Sequence, residues 1–354
     1  MTSAPTLGPP PPWRRALVTG GAGFLGSHLV TRLLDSGVEV DCLDDLSTGR
    51  PENVASAADH PGFRFLELDV ADPGCPDALT GPYDLVLHLA GPASSADCRR
   101  RPLQTLDAGS LGTRNALAVA DRDGARFLLA SAWEACELAG GAAAAPCTGD
   151  GHAYADPVGP CTAYAEANRF AEALVAAHAA ARGSNAGIVR IFDTYGPRMR
   201  TDDDRPLSRL LARAERGAPV TVPADGGHPV SLCYVDDAVD GVLRVAAARS
   251  VRPVDIGGEE EVPLVELARR VIELTGGEAP LEFADGTHGT HGTHGTDGTD
   301  GTPAPHRPDT GFARELFGWR PRVSWQDGLE RTLTAARPDR TPVIVGALGG
   351  GWLT

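Results

Sequence analysis

The sequence predicts an α/β protein with a Rossmann-type doubly wound parallel sheet and a smaller mixed α/β region. Two observations carry this prediction. Short apolar runs alternate with helix-length segments from residue 16 onward, which is typical of repeated strand–helix units. The first five runs are largely apolar on both faces, as buried parallel strands are.

The elements follow in order along the chain. The predicted strands of the sheet are residues 16–19, 39–43, 63–68, 85–89, 126–130 and 187–192. The helices predicted among them are residues 24–35, 97–121 and 161–181. After residue 195 the pattern breaks into smaller pieces. These are predicted helices at 207–216, 235–247, 264–274 and 326–333, and short strands at 219–222 and 253–256.

Composition excludes several classes of function. The 354 residues carry a net charge of −15, which argues against nucleic acid or an anionic membrane as a partner. No apolar run reaches the ~18 residues that a membrane span needs. Seven scattered cysteines without a Cys-x-x-Cys pair indicate reduced thiols in a cytoplasmic protein. All 32 basic residues are arginine, so no lysine is present for Schiff-base chemistry or for a phosphate loop.

A glycine-rich segment, TGGAGFLGSH, gives the strongest functional signal. Gly20, Gly23 and Gly26 follow a predicted strand and open a predicted helix. They permit a tight turn, close approach of a pyrophosphate, and close packing of helix on strand. Asp44 ends the next strand about twenty residues later, where an acid binds the adenosine ribose hydroxyls. The pattern predicts NAD as cofactor. NADP is the lesser alternative because Arg50, a further predicted cofactor contact, is nearby.

Further cofactor contacts are predicted at the helix start and at the carboxyl ends of the strands, where ligands bind in open α/β sheets. Asp69 is placed either to accept a hydrogen bond from the adenine amino group or to cap a turn, and both interpretations stay open. The other predicted contacts are Phe24, Leu25, Val70, Leu89, Ala90 and Gly91.

The chain is predicted to divide into a disordered proline-rich start (1–13), a dinucleotide-binding domain (14–194), a substrate-binding region partly interleaved with the sheet (195–340) and a tail (341–354). Residues 286–302 read GTHGTHGTHGTDGTDGT, and glycine at every third position prevents a helix. The favoured interpretation is a repeat insertion in a flexible surface loop. The pattern also resembles a weak metal-binding tract, but no metal site is predicted. Its histidines are His288, His291 and His294.

The blocks TGGAGFLGSH, LDDLSTGR, HLAGPAS, LLASAWE, VGPCTAYAEANRFAE, RIFDTYGPRM and CYVDDAVDG, in this order, resemble the extended short-chain dehydrogenases/reductases. The likeness is closest to UDP-glucuronate decarboxylases and extends over roughly residues 15–335. The resemblance implies tightly held NAD, oxidation of a sugar carbinol, and return of the hydride after decarboxylation. It also implies a homodimer, formed through the helices of residues 97–121 and 161–181.

The resemblance implies a catalytic set of Ser/Thr, Tyr, a Lys four residues after the Tyr, and often an Asn. The tyrosine matches Tyr164. The lysine position is Asn168, the Ser/Thr position is Ala132, and the Asn position is Gly109. Glu134 matches a carboxylate beside the substrate. We therefore predict Tyr164 and Glu134 as catalytic residues and Asn168 as a contact to the cofactor ribose.

The missing lysine has an energetic consequence. A cation about 4 Å from a phenolate contributes about 4 kcal/mol at an effective dielectric of 20, or roughly three pKa units. Arg169 is adjacent to Asn168, but one residue along a helix is a rotation of about 100°, so it should face elsewhere. An oxidation that uses Tyr164 as base would be slow at neutral pH. Reduction is less affected, because a neutral tyrosine can still donate a proton.

The substrate side departs from the resemblance too. Arginines that hold a diphosphate in the family fall on Val230 and on His306, which is followed by Arg307. Their loss is difficult to replace because Arg–phosphate pairing is bidentate. Trp133 either narrows the pocket or packs in the core. The predicted substrate contacts are Ser94, Trp133, Asp193, Arg198 and Arg205.

Three functions follow from the sequence. The main prediction is an atypical NAD(P)-dependent short-chain dehydrogenase/reductase that acts on a carbonyl or carbinol of a small secondary metabolite. The alternative is an NDP-sugar decarboxylase, epimerase or dehydratase that uses Tyr164 and Glu134. The second alternative is a catalytically inactive dinucleotide-binding protein.

Overall fold

The computed structural model describes residues 12–136, 162–203, 205–226, 229–284 and 307–336. Its strands are β1 (Arg15–Thr19), β2 (Glu39–Asp44), β3 (Phe63–Glu67), β4 (Leu85–His88), β5 (Arg126–Ala132), β6 (Ala186–Ile191), β7 (Thr194–Tyr195), β8 (Val220–Pro223), β9 (Val230–Ser231), β10 (Cys233–Tyr234), β11 (Val254–Ile256), β12 (Glu261–Val262) and β13 (Leu281–Ala284). Its helices are α1 (Phe24–Asp35), α2 (Cys75–Ala78), α3 (Ser95–Arg100), α4 (Pro102–Asp107), α5 (Thr113–Asp123), α6 (Thr162–Arg182), α7 (Pro206–Ala214), α8 (Val235–Ala247), α9 (Leu264–Thr275), α10 (Gly311–Phe317) and α11 (Trp325–Ala336).

The central sheet has seven parallel strands in the order β11-β6-β5-β4-β1-β2-β3. The predicted doubly wound fold is therefore confirmed. The chain builds the sheet outward from β1 in one direction as far as β3 and then crosses back to β4. A crevice opens above the carboxyl ends of the strands at such a reversal.

Both faces of the sheet are covered by helices. Alternate residues of β1 point to opposite sides, as the two-residue period of a strand requires. Val18 packs in one core cluster with Leu29 of α1, whereas Leu17 packs in the other with Ala116 of α5 and Val175 of α6. The result is a three-layer arrangement that buries the sheet on both sides.

The later part of the chain forms small sheets and returns to the large one. β7 pairs with β10, β8 with β13, and β9 with β12. β11 joins the edge of the central sheet beside β6. The division into domains at residue 195 stays a prediction.

Most predicted elements are found within a few residues of their predicted bounds, but the single helix predicted over residues 97–121 is wrong. The structure has α3, α4, a π-helical turn (Ala108–Gly112) and α5 in its place. Arg101 leaves the helical conformation (φ −134°, ψ 52°), and Pro102 begins the next helix. Proline has no N–H to continue the earlier helix, so it belongs in a first turn. The short helices α2 and α10 and the strands β7, β9, β10, β12 and β13 were not predicted.

Three predicted segments lie mostly or wholly outside the described residues: the start of the chain, the repeat at 286–302 and the tail at 341–354. Among the helices described, none is long and apolar enough to cross a membrane. The described residues include no group of three or more side chains suited to a metal ion. Cys42, Cys75 and Cys233 are buried thiols without a disulfide.

Asp255 on β11 carries a buried charge next to an ion pair. It is in register with Arg190 of β6, whose guanidinium donates to Glu172 at 2.8 and 2.7 Å. Its carboxylate accepts the N–H of Asp309 at 3.1 Å. Burial raises the pKa of Asp255 from 3.8 to about 6 despite these partners. The folded protein therefore binds this proton more tightly than the unfolded chain does.

We predict that Asp255→Asn stabilises the protein at pH 7.5 by roughly 1–3 kcal/mol. The raised pKa makes wild-type stability fall as pH rises from about 4 to 6, and the neutral amide avoids that loss while still accepting the Asp309 N–H. Thermal unfolding at pH 4.5 and 7.5 measures the effect. The gain should shrink at the lower pH, and the control Asp240→Asn, at a partly exposed carboxylate on α8, should give no comparable gain at pH 7.5. An equal shift at both pH values would contradict the prediction.

Candidate active site

A cavity of about 390 Å³ lies above the carboxyl ends of the central strands. Its lining begins at the glycine turn after β1 and crosses the ends of β2, β3, β4 and β5. It then continues to residues beside β6 and β9. The cavity thus occupies the position that open α/β sheets use for ligands.

The glycine turn is shaped by close contacts that a side chain would block. Gly20 has φ +69°, and a Cβ there would lie 2.8 Å from the carbonyl carbon of Leu89. A Cβ on Gly26 would overlap the carbonyl oxygen of Gly20. Gly23 is the N-cap of α1, and no side chain caps this helix. The free N–H groups of the first turn of α1 therefore face the cavity and suit a pyrophosphate.

Asp44 is fixed at the end of β2. Its Oδ2 accepts the N–H of Ala22 and its Oδ1 accepts the N–H of Leu46, each at 2.9 Å. Burial raises its pKa, and these two N–H donors oppose that shift. A Cβ on Gly49 would lie 2.5 Å from Asp44 Oδ1, so glycine lets the following loop close over the carboxylate. This cradle fits the ribose hydroxyls of NAD.

Most predicted cofactor contacts line the cavity. Asp69 does so while its Oδ1 caps a turn by accepting the N–H of Ala71 at 2.8 Å. Arg50 and Asn168 are not in the lining. The Arg50 guanidinium pairs with Asp202 instead. The contacts that do line it are Gly20, Gly23, Phe24, Leu25, Gly26, Asp44, Asp69, Val70, Leu89, Ala90, Gly91 and Tyr164.

Tyr164 and Glu134 both line the far end of the cavity. Tyr164 lies in the first turn of α6, and Glu134 lies in a 3₁₀ turn (Trp133–Cys136) that follows β5. Burial and the Glu134 carboxylate raise the pKa of Tyr164 well above its ordinary value. Arg205 and Asn168 act weakly in the opposite direction. Tyr164 is therefore a neutral phenol at physiological pH.

Two polar side chains, Ser131 and Asn168, lie at or close to the positions of the missing Ser/Thr and Lys, but neither replaces them. Ser131 is adjacent to Ala132, but its hydroxyl donates to Glu172 at 2.6 Å. Asn168 donates its side-chain N–H to the backbone carbonyl of Tyr164 at 3.0 Å, one helical turn earlier. Asn168 therefore contributes a dipole near the phenol but no charge.

Gly109 accommodates the neighbouring helix. It lies in the π-helical turn, and a Cβ there would come within 2.8 Å of both the Cβ and the carbonyl oxygen of Ala167 on α6. An asparagine at this position would require the two helices to move apart. The space that a fourth catalytic side chain would need is thus filled by backbone.

The substrate end includes four of the five predicted contacts. Ser94, Trp133, Asp193 and Arg205 line the cavity. Arg198 is not in the lining, because its Nη1 donates to Thr31 of α1 at 3.2 Å, and its contact with substrate stays a prediction. The left-handed backbone of Arg198 (φ +68°) makes its side-chain direction impossible to predict from sequence.

Two arginines supply positive charge among the described lining residues. Arg205 donates to the carbonyl of Ala93 at 3.0 Å and pairs with Asp203 at 3.4 Å. Burial disfavours its charge, but Asp203 and then Tyr164 raise its pKa. Arg200 pairs with the buried Asp97 at 2.5 Å. Arg200 was not predicted as a residue of the site. The only sequence signal for it was its position two residues after the predicted contact Arg198.

We predict that Gly109→Ala destabilises the protein by roughly 1–3 kcal/mol through overpacking, although alanine favours a helix by up to about 1 kcal/mol. Thermal unfolding measures this. Ser110→Ala in the same turn is the control and should change stability little. Adding Ala167→Gly should restore part of the loss, because the carbonyl contact of residue 167 remains. An unchanged melting temperature for Gly109→Ala would contradict the close packing described above.

The doubly wound sheet, the uncapped α1 and the Tyr164–Glu134 pair in one cavity define a dinucleotide-dependent α/β enzyme. Residues 16–257 match the NAD dependent epimerase/dehydratase family. The chain belongs to this family. The predicted extended short-chain dehydrogenase/reductase class, the enzyme assignment and the dependence on NAD are thereby confirmed.

Similar proteins with known names agree with the family. UDP-glucuronic acid decarboxylase 6 of Arabidopsis thaliana is 36% identical over 316 residues, which cover 89% of this chain and 86% of that protein. UDP-glucuronic acid decarboxylase 1 of Xenopus tropicalis is 34% identical over 90% of this chain and 71% of its own length. The UDP-glucose 4-epimerase of Thermotoga maritima, solved with UDP-glucose, has a TM-score of 0.77 at 26% identity, covering 92% of this chain and 99% of its own.

Proposed function

We propose that this chain is an NAD-dependent enzyme that modifies a sugar nucleotide, with Tyr164 and Glu134 as its proton-transfer groups. The observation that carries the proposal is the single cavity that joins the glycine turn of α1 to this pair. The similarity to UDP-glucuronic acid decarboxylases over 89% of the chain supports a sugar nucleotide over the secondary metabolite of the main sequence prediction. A cytoplasmic location accords with the buried thiols.

NAD would be held by the parts of the cavity built from backbone and carboxylate. The first turn of α1 would bind the pyrophosphate and Asp44 the adenosine ribose. When bound, NAD accepts a hydride from a carbinol carbon and can return it. Asp44 is already held by two N–H groups, and a 2′-phosphate beside it would meet a fixed negative charge. This favours NAD over NADP.

The two catalytic candidates would divide the proton work by their charge states. Since burial and Glu134 raise the pKa of Tyr164, the phenol acts as hydrogen-bond donor and acid toward the substrate oxygen. Glu134 takes the role of base when a carbinol proton must leave. Arg205 lies in the same lining and stabilises negative charge that develops on either group.

A second candidate function, a reductase of a substrate without a diphosphate, is favoured by the charge of the substrate end. Val230 lines the cavity where an arginine would contact phosphate. Arg200 and Arg205 are each paired with a carboxylate, Asp97 and Asp203. Diphosphate binding must compete with these ion pairs, whereas a neutral substrate need not.

We predict that NAD and UDP each raise the melting temperature and that UDP-glucuronate is turned over. Carbon dioxide release and transient absorbance at 340 nm measure turnover. Tyr164→Phe and Glu134→Gln should each lower kcat by about 100-fold or more, because each removes one proton-transfer group.

The outcomes separate the candidates. A response to NAD but none to UDP favours the reductase. A response to NAD without turnover of any sugar nucleotide or carbonyl substrate favours an inactive dinucleotide-binding protein. Equal rates for both variants and wild type would show that the proton-transfer assignment is wrong.

We also propose that the protein is a homodimer. Four large apolar side chains are exposed on neighbouring helices, with Leu103 at 70% and Phe170 at 51%. α4 and the π-helical turn both contact α6, and we therefore assign these side chains to one apolar face. Two copies of the chain, related by a two-fold axis, would bury this apolar face between them. The four are Leu103, Leu106, Leu111 and Phe170.

We predict that Phe170→Glu, combined with Leu103→Glu, converts the dimer to a monomer, because four carboxylates would face one another across the two-fold axis. Light scattering coupled to gel filtration measures the mass. The control is Phe283→Glu with Leu316→Glu, two similarly exposed apolar residues off this face. A wild-type monomer, or a dimer that survives the double substitution, would contradict the proposal.

A further inference from the structure

A chain of four charges crosses the mouth of the cofactor cleft. Arg200 pairs with Asp97 at 2.5 Å on one side and with Asp202 at 2.9 Å on the other. Asp202 in turn pairs with Arg50 at 3.2 Å. The series Asp97–Arg200–Asp202–Arg50 thus links α3, the segment after β7 and the loop after β2.

The backbone of Arg50 lies close to the adenosine end of the cleft. The preceding residue, Gly49, lines the cavity and lies against the Asp44 carboxylate. The N–H of Arg50 donates to the carbonyl of Ala22 at 3.0 Å, which fixes its backbone in the same loop. Consecutive Cα atoms are about 3.8 Å apart, so an arginine side chain at this position reaches the neighbourhood of Asp44. It nevertheless does not line the cavity.

Asp202 holds the Arg50 side chain away from that neighbourhood. Its two carboxylate oxygens each accept a hydrogen bond from Arg200, at 2.9 Å. These bonds lower the pKa of Asp202 to about 2, so it is ionised at every physiological pH. Arg200 is anchored by the buried Asp97, whose Oδ2 also accepts from Ser94 at 2.9 Å. Asp202 is therefore a fixed negative charge that competes for Arg50.

We propose that Asp202 is a specificity-determining residue, which disfavours NADP by holding Arg50 away from the 2′ position of the adenosine ribose. The inference rests on the proposed use of NAD by this chain. An arginine free to turn toward the ribose would pair with a 2′-phosphate, which a fork of N–H donors fits well. The 2′-hydroxyl of NAD gains little from such an arginine. Asp202 therefore weakens the binding of NADP and leaves the binding of NAD unchanged.

The size of the expected gain in NADP binding depends on how exposed the Arg50–Asp202 ion pair is to water. The side chains of Arg50 and Asp202 are 47% and 56% exposed. An ion pair of this kind contributes little in water, so releasing Arg50 should improve NADP binding by about two- to fivefold. Asp44 still repels the 2′-phosphate, so NAD remains the tighter ligand.

The test compares the affinities of NAD and NADP, which differ by the 2′-phosphate alone. Isothermal titration calorimetry gives both Kd values for wild type, Asp202→Asn, Arg50→Gln and the double variant. Asparagine keeps an oxygen for Arg200 but loses the charge that attracts Arg50. Asp240→Asn is the control, because it removes a carboxylate from a partly exposed ion pair with Arg244 on α8.

Asp202→Asn should tighten NADP binding by about two- to fivefold and leave NAD binding unchanged. Arg50→Gln in the same chain should abolish the gain, and 0.5 M salt should reduce it. The inference is overturned if Asp202→Asn leaves the ratio of the two Kd values unchanged, tightens both dinucleotides equally, or keeps its effect without Arg50. If the wild type binds NAD and the variants give one of these results, this inference alone is contradicted. A wild type that binds neither dinucleotide contradicts the proposed function as well.

Discussion

The contact between Gly26 and the carbonyl of Gly20 is the constraint on which the site depends. Without a side chain at residue 26, α1 packs directly against the turn that follows β1. This contact places the uncapped first turn of α1 at the strand reversal between β1 and β4. The helix dipole and the free N–H groups then face the same space as the carboxyl ends of the strands. Every other cavity residue is arranged around that point.

The end of the cavity that holds Tyr164 is built without a lysine. The fold buries Tyr164 beside Glu134, which makes the phenol a poor base and a competent acid. The positive charge among the described lining residues comes from Arg200 and Arg205 in the segment before α7, and not from α6. Both arginines are paired with carboxylates, and Asp193 and Glu134 add two further acidic groups to the same lining. That excess of acidic groups, more than the shape of the cavity, is what a negatively charged substrate would have to overcome.

The sequence was sufficient for the sheet, the glycine turn and most of the residues that line the cavity near that turn, because buried apolar runs and glycine spacing are local signals. It was insufficient for Arg198, Arg50 and Arg200, whose side-chain directions depend on a left-handed residue and on partners about 100 to 150 residues away. The split of the 97–121 helix escaped prediction for a related reason. Pro102 marked a boundary, but helices lie on both sides of it, and the sequence pattern did not separate them.

The contact of Gly109 with Ala167 also limits which substitutions this end of the cavity accepts. Because α6 lies directly against the glycine, its backbone occupies the room that a longer side chain would need. A longer side chain at residue 109 alone would meet main-chain atoms, and α6 would have to shift to admit it. Residue 109 and the position of α6 can therefore change only together, so a single substitution there cannot rebuild a polar contact to the substrate.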